Sequence, residues 1–166
     1  VYDNEGNQIS KLVAADSNRI MVSSEQIPEH LKNAFVAIED ERFYSHNGID
    51  IKGLMRAVVD AVKNGFQDMQ GASTITQQLI KNSVFPNFIN EDGLLDSLKR
   101  KIQEQYLAIE LEKVMDKDTI LVNYLNTINL GQNTLGVQAA SLRYFDKDVS
   151  ELTISESAVI AAITQN

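Results

Sequence analysis

From Pro28 almost to the C-terminus, apolar residues recur at intervals of three and four, and Pro86 is the only later proline. That rhythm confines the chain to helices packed on helices, because each such segment carries an apolar face that must be covered. Leu31, Ala34, Phe35 and Ile38 predict a first helix, with Pro28 suited to its first turn. Ile51, Leu54, Met55, Val58 and Val62 form the stripe of a second helix over 50–64, which Gly65 ends. A third starts at Ser73 or Thr74, where Thr74-x-x-Gln77 has the form of a capping box. Residues 82–92 read as a loop carrying Val84, Phe85, Phe88 and Ile89. A long helix follows over 94–114, its apolar stripe made of Leu95, Leu98, Ile102, Tyr106 and Ile109. Helices over 116–126 and 135–145, and a last one after the capping box Thr153-x-x-Glu156, complete the pattern. No strand alternates with these helices, so the fold class is mainly α and a parallel sheet is excluded.

Residues 1–27 differ. Asp3-Asn4-Glu5-Gly6-Asn7 is turn chemistry between Val1-Tyr2 and Ile9, which predicts a short extended N-terminal arm. The 166 residues, 43% of them apolar, are enough for one real core. With no internal repeat and no flexible linker, residues 1–166 read as a single domain, an arm over 1–27 and a helical body over 28–166.

Composition narrows the chemistry. With no cysteine, and two histidines 16 residues apart, neither a disulfide scaffold nor a Cys- or multi-His-based metal site is available. The longest apolar run, 158–163, is far short of the roughly 20 residues of a membrane span. The net charge of -8 argues against nucleic acid as a partner. The bases are nevertheless concentrated. Residues 1–50 hold 9 acids and 4 bases, residues 101–166 hold 9 and 5, but residues 51–100 hold 5 and 6. Such a distribution suits one anion in one basic pocket rather than a polyanion.

Three constellations carry chemistry. In the first, Glu39 to Gly48, Glu39 follows Phe35 by four residues and so flanks the apolar face, where lost hydration favours a general base. The same string also reads as a solvated acidic helix end, and His46 as a hydrogen-bonded structural histidine. In the second, Thr74, Gln77, Gln78 and Lys81 share one helix side, with Ser73 and Asn82 beside them. Amides and hydroxyls donate and accept, which suits a sugar, but they serve equally to pack a polar helix through buried hydrogen bonds. In the third, Arg100 and Lys101 precede Glu104 by four and three residues, on a row that runs on into Leu107 and Leu111. That is either an ordinary helical ion pair or a cationic site for phosphate at the edge of the core.

Together these strings resemble the glycosyltransferase domain of bacterial peptidoglycan polymerases, the class A penicillin-binding proteins and their monofunctional relatives. The resemblance rests on Glu39-Asp40-x-x-Phe43-x-x-His46-x-Gly48, on Gly71-x-Ser73-Thr74-Ile75-Thr76-Gln77-Gln78 with Lys81-Asn82, and on Arg100-Lys101-x-x-Glu104. Ile120-Leu121-x-x-Tyr124-Leu125-Asn126, Gly136-Val137 and the Ala-rich end extend it over residues 28–166. Val122-Asn123 stands where the family commonly has a Glu before Tyr-Leu-Asn, and the loop 129–136 lacks the usual aromatics, so no role beyond structure is carried over for this motif.

The resemblance implies a lysozyme-like helical domain that polymerises lipid II into glycan strands, with inversion and release of undecaprenyl pyrophosphate. Glu39 and Glu104 are the expected catalytic carboxylates. Ser73, Thr74, Gln77, Gln78, Lys81, Asn82, Arg100 and Lys101 are the expected substrate-binding residues. No cofactor is obligatory, and a divalent cation, Mg or Mn, is expected at most beside Glu104. The partners implied are lipid II, the growing strand, the membrane surface, cell-wall assembly proteins and a transpeptidase domain beyond residue 166. The implied place is the extracytoplasmic face of the bacterial cytoplasmic membrane, with the anchor outside this chain; the segment 83–95, apolar in patches, reads either as a membrane-facing flap beside the cleft or as a poorly ordered surface loop. The rival readings are a lysozyme-like hydrolase or lytic transglycosylase, and a catalytically idle cell-wall assembly domain.

Overall fold

The computed structural model describes residues 19–63, 73–85, 93–132 and 134–165, with backbone alone at 58, 60–62, 94 and 95. The described helices are α1 (Glu29–Glu39), α2 (Ile51–Lys63), α3 (Ile75–Val84), α4 (Leu94–Val114), α5 (Lys117–Thr127), α6 (Val137–Phe145) and α7 (Ile154–Ala162). Among the described residues there is no strand, only an isolated antiparallel bridge between Asn129 and Leu135. This is the mainly α architecture expected of a lysozyme-like domain. Residues 1–18, which hold most of the predicted arm, and 86–92, most of the predicted loop, lie outside the described residues. Within the rest of the arm, Ser24–Gln26 form a short 3-10 turn.

Helix starts follow side-chain chemistry. Thr74 accepts from the Gln77 backbone N–H while the Gln77 side chain reaches back to the Thr74 N–H, closing the predicted box at the head of α3. Thr153 and Glu156 do the same at α7, where Lys147 leads the interactions that hold the Glu156 carboxyl down to about 2. Asp116 caps α5 by accepting from Thr119. α3 outruns the sequence expectation, continuing through Asn82 and Ser83 to Val84. α6 begins later than expected, at Val137, because Gly136 at φ +82° turns the chain against the Asn126 carbonyl.

α3 packs between α4 and α5, and α1 lies along α7. Leu31 and Phe35 of α1, Ile75 of α3, Ile120, Leu121, Tyr124 and Leu125 of α5, and Ile160 of α7 share one buried cluster. Each fully buried aliphatic or aromatic side chain of this kind contributes about 1.5–3 kcal/mol. Phe35 meets Tyr124 edge-on at 6.1 Å, which ties α1 to α5. A polar tie runs beside it: Thr76 donates to Glu112, which also pairs with Lys117 at 2.7 Å.

Asn126 is buried and works as a clip. Its Oδ1 accepts from the Val22 N–H at 3.0 Å and its Nδ2 donates to the Val22 carbonyl at 2.9 Å, as a β-partner would. Asn126→Ala leaves both backbone groups unpaired, so thermal unfolding should show a loss of about 1–3 kcal/mol. A variant within a few tenths of wild type would mean the clip contributes nothing.

The expected helix stripes are corrected. On α2, Ile51 and Met55 are exposed and Leu54 is half-buried; the side chains of Val58 and Val62 lie outside the described set. On α4, Leu98, Ile102, Tyr106 and Ile109 face outward, Tyr106 with 63% of its surface accessible, and Leu95 is again outside the described side chains. The row through Glu104, Ala108 and Leu111 faces inward instead.

Gly48 explains how the loop between α1 and α2 is held. Its φ is +87°, and a Cβ there would lie 2.6 Å from the backbone carbonyl carbon and oxygen of Ala108. Only glycine lets the loop touch the α4 backbone this closely. The Gly48 carbonyl in turn accepts the Thr74 hydroxyl at 2.7 Å, so one residue joins the loop to both α3 and α4.

Candidate active site

Three helices converge here. α1 ends at Glu39, α3 presents Gln78 and Lys81 on one face, and α4 carries Arg100, Lys101 and Glu104. Glu39 and Asp40 are neighbours in sequence with opposite fates. The Asp40 carboxylate is buried, accepts the Ile75 N–H at 3.0 Å at the head of α3, and lies 2.9 and 3.0 Å from His46 Nε2. It therefore orders the helix start, and His46, its partner, is structural. The Glu39 carboxylate faces the other way and is half-buried.

Glu39 accepts from three side chains. Gln78 Nε2 donates to Oε2 at 2.7 Å, Gln165 Nε2 donates to Oε1 at 3.1 Å, and the Thr164 hydroxyl also donates to Oε1. Behind Gln78, the buried Tyr124 hydroxyl donates to its Oε1 at 3.2 Å, which fixes the amide with its nitrogen toward Glu39. Burial above all, and the Glu39 charge after it, push the Tyr124 phenol far above its ordinary range, so it remains a donor at any working pH.

The second carboxylate is deeper. Glu104 is fully buried, at 0% exposure, with Arg100 on Oε1 and Lys101 on Oε2 at 2.9 Å. A buried carboxylate needs such partners to offset its lost hydration. Lys101 also donates to Ser73 Oγ at 2.8 Å, which fastens the cationic turn of α4 to the start of α3. Lys81 lies between the two carboxylates in charge terms. Burial pushes its ammonium below the ordinary range and the Lys101 and Arg100 charges push the same way, while Glu104 and Glu39 draw it back up.

Of the residues expected from sequence, Glu39 and Gln78 touch, as do Ser73, Lys101, Glu104 and Arg100, and Lys81 feels both groups. Asn82 is half-buried one position beyond Lys81 on α3. Thr74 and Gln77 are buried, and their side chains close the cap of α3 and so hold the helix end. Thr164, Gln165 and Tyr124 escaped the sequence reading as parts of the site. The available signal was a hydroxyl and an amide directly after the apolar run 158–163, the same chemistry that marked α3.

The donor set around Glu104 does not suit a resident divalent ion. Both its oxygens are taken by cations, and no three Asp, Glu or His side chains converge among the described residues. A cavity of about 470 Å³ lined by His46, Asp50, Ile51 and Ile109 includes neither carboxylate of the site.

The family model described as "Transglycosylase" matches residues 5–166. Penicillin-binding protein 1A of Clostridium perfringens (strain 13 / Type A) is 49% identical over 99% of the chain, which spans 24% of that protein. Penicillin-binding protein 1A of Clostridium botulinum (strain Langeland / NCTC 10281 / Type F) is 47% identical over 100% of the chain, which spans 20% of it. Penicillin-binding protein 1F of Bacillus subtilis (strain 168) is 43% identical over 98%, again across 21% of the relative. The chain thus spans about a quarter or less of the length of these curated relatives.

Proposed function

Because this chain belongs to the transglycosylase family, we propose that it polymerises lipid II into peptidoglycan glycan strands by inverting glycosyl transfer. The observation that carries the reading is the convergence on α3: Gln78 meets the Glu39 carboxylate, and Lys81 feels both that charge and the cations around Glu104.

Such a transfer needs a base at the acceptor hydroxyl and positive charge at the leaving group. Glu39 takes the proton from the 4-hydroxyl of the incoming GlcNAc as its oxygen bonds to the anomeric carbon of the strand. The bond from that carbon to undecaprenyl pyrophosphate breaks, and its electron pair leaves on the pyrophosphate. Lys81, Arg100 and Lys101 neutralise the departing charge, and Glu104 fixes the direction of the two α4 cations. Ser73, Gln78 and Asn82 line the sugar path. A pyrophosphate leaves without protonation by a general acid, so a second carboxylic acid of the glycosidase kind is not needed. No step is assigned to a divalent cation.

The exposed apolar residues Ile51 and Met55 of α2 and Leu98, Ile102 and Tyr106 of α4 suit a lipid-borne substrate. No helix among the described residues is long and apolar enough to cross a membrane. In this reading the exposed apolar residues touch the extracytoplasmic face of the membrane from which the substrate is drawn. Liposome flotation should fall clearly for the pair Ile102→Glu and Tyr106→Glu at unchanged circular dichroism, and equal flotation would refute the contact.

Incubating the chain with labelled lipid II and resolving the products on a gel tests the function. A ladder of glycan chains supports it. Cleavage of finished glycan with no ladder would point to a hydrolase or lytic enzyme, and neither product to an assembly domain. The pH profile carries a further prediction. An ammonium depressed by burial loses its charge at lower pH than an ordinary lysine, so activity should decline on the alkaline side before the usual lysine range. Lys81→Arg, charged throughout, should move that limb upward; an unmoved limb would remove Lys81 from the charge-neutralising set.

A further inference from the structure

We propose that Thr164 and Gln165 are positioning residues that occupy Oε1 of Glu39 and so direct proton acceptance to Oε2. The inference rests on the reading of Glu39 as the base. An ionised carboxylate accepts at about four positions, two on each oxygen. Thr164 and Gln165 take both positions on Oε1, and Gln78 takes one on Oε2. Among the described donors, one position on Oε2 is left for an incoming hydroxyl.

The Thr164 hydroxyl has a second acceptor in reach, the Ala161 carbonyl at 2.8 Å. It has a single proton, and a charged acceptor binds that proton more strongly than a neutral carbonyl does. The bond to Glu39 therefore dominates while Glu39 is ionised. The Ala161 carbonyl sits within the last turn of α7, which fixes the backbone from which Thr164 reaches. Gln78 is held from behind by Tyr124, so each oxygen of the carboxylate is set by a group that is itself anchored. A carboxylate fixed at both oxygens has one orientation, and a base with one orientation meets its substrate hydroxyl without a search.

Thr164 acts through Glu39, so its removal should change turnover rather than binding. With labelled lipid II, Thr164→Val should lower kcat by roughly 10-fold at nearly unchanged KM, since misplaced reacting groups cost rate directly. Thr164→Ser, which keeps the hydroxyl, should restore kcat to within about 2-fold. Gln165→Ala removes the other donor from an exposed side chain and serves if Thr164→Val does not fold. A kcat like wild type in these variants, beside an inactive Glu39→Gln, would overturn the positioning role and leave the base in place. An active Glu39→Gln would overturn both. A second readout needs no turnover: the infrared difference between wild type and Glu39→Gln isolates the Glu39 carboxylate band. That band should shift in Thr164→Val and return in Thr164→Ser. An unmoved band would refute the clamp whatever the kinetics give.

Discussion

Glu39→Gln will abolish glycan polymerisation while leaving the fold intact. The substitution keeps the size of the side chain and one carbonyl oxygen but removes the charge and the ability to take a proton. A general base is worth typically 10²–10⁴ in rate, so the product ladder should fall by at least about 100-fold. Stability should barely move, because Glu39 is half-buried at a helix end, the new amide keeps an oxygen toward Gln78 Nε2, and the Thr164 hydroxyl and the exposed Gln165 amide can turn to meet its nitrogen. Circular dichroism and the melting temperature provide that control. Polymerisation that survives the change would remove Glu39 from the chemistry and reopen the assignment of the base.

Gly48→Ala is the second large effect, and it acts on stability first. The added methyl would sit 2.6 Å from the Ala108 carbonyl group, on a backbone at φ +87° that L side chains rarely adopt. Backbone is what it meets, so no side-chain rotation relieves the clash. Backbone strain and overpacking each cost about 1–3 kcal/mol, which gives roughly 2–6 kcal/mol together. For a chain of this size that is a fall in melting temperature of about 5–15 °C. The retreat of the loop would also draw the Gly48 carbonyl from Thr74, the N-cap of α3, and disturb the helix that carries Gln78 and Lys81. Activity should therefore fall even below the melting range. A variant that melts within about 2 °C of wild type would show that the contact is soft.

Much of this was legible in the residues. Thr74-x-x-Gln77 and Thr153-x-x-Glu156 announced two helix starts because a cap is a local bargain between a side chain and the N–H groups three residues on. Arg100, Lys101 and Glu104 were legible as a group because helical spacing alone brings them together. The inward face of α4 was not. Apolarity favours burying Leu98, Ile102, Tyr106 and Ile109, yet the row with Glu104 goes in, since Arg100 and Lys101 neutralise it there and Ala108 leaves room for Gly48. The burial of Thr74 and Gln77 was hidden as well, because spacing fixes the side of a helix but not what covers it. The contacts of Thr164 and Gln165 with Glu39 were hidden for another reason: they are made across the fold, and no local pattern encodes them.

That separation has a consequence in time. Glu39 and Thr164 are 125 residues apart in the chain, yet one oxygen joins them. A ribosome adding 5–20 residues per second needs about 6–25 s to travel from one to the other. Throughout that interval α1 exists without α7 to lie along, and the carboxylate without its clamp. With Glu39 as the proposed base, its carboxylate is made first and takes its set direction only once the turn that follows α7 has docked.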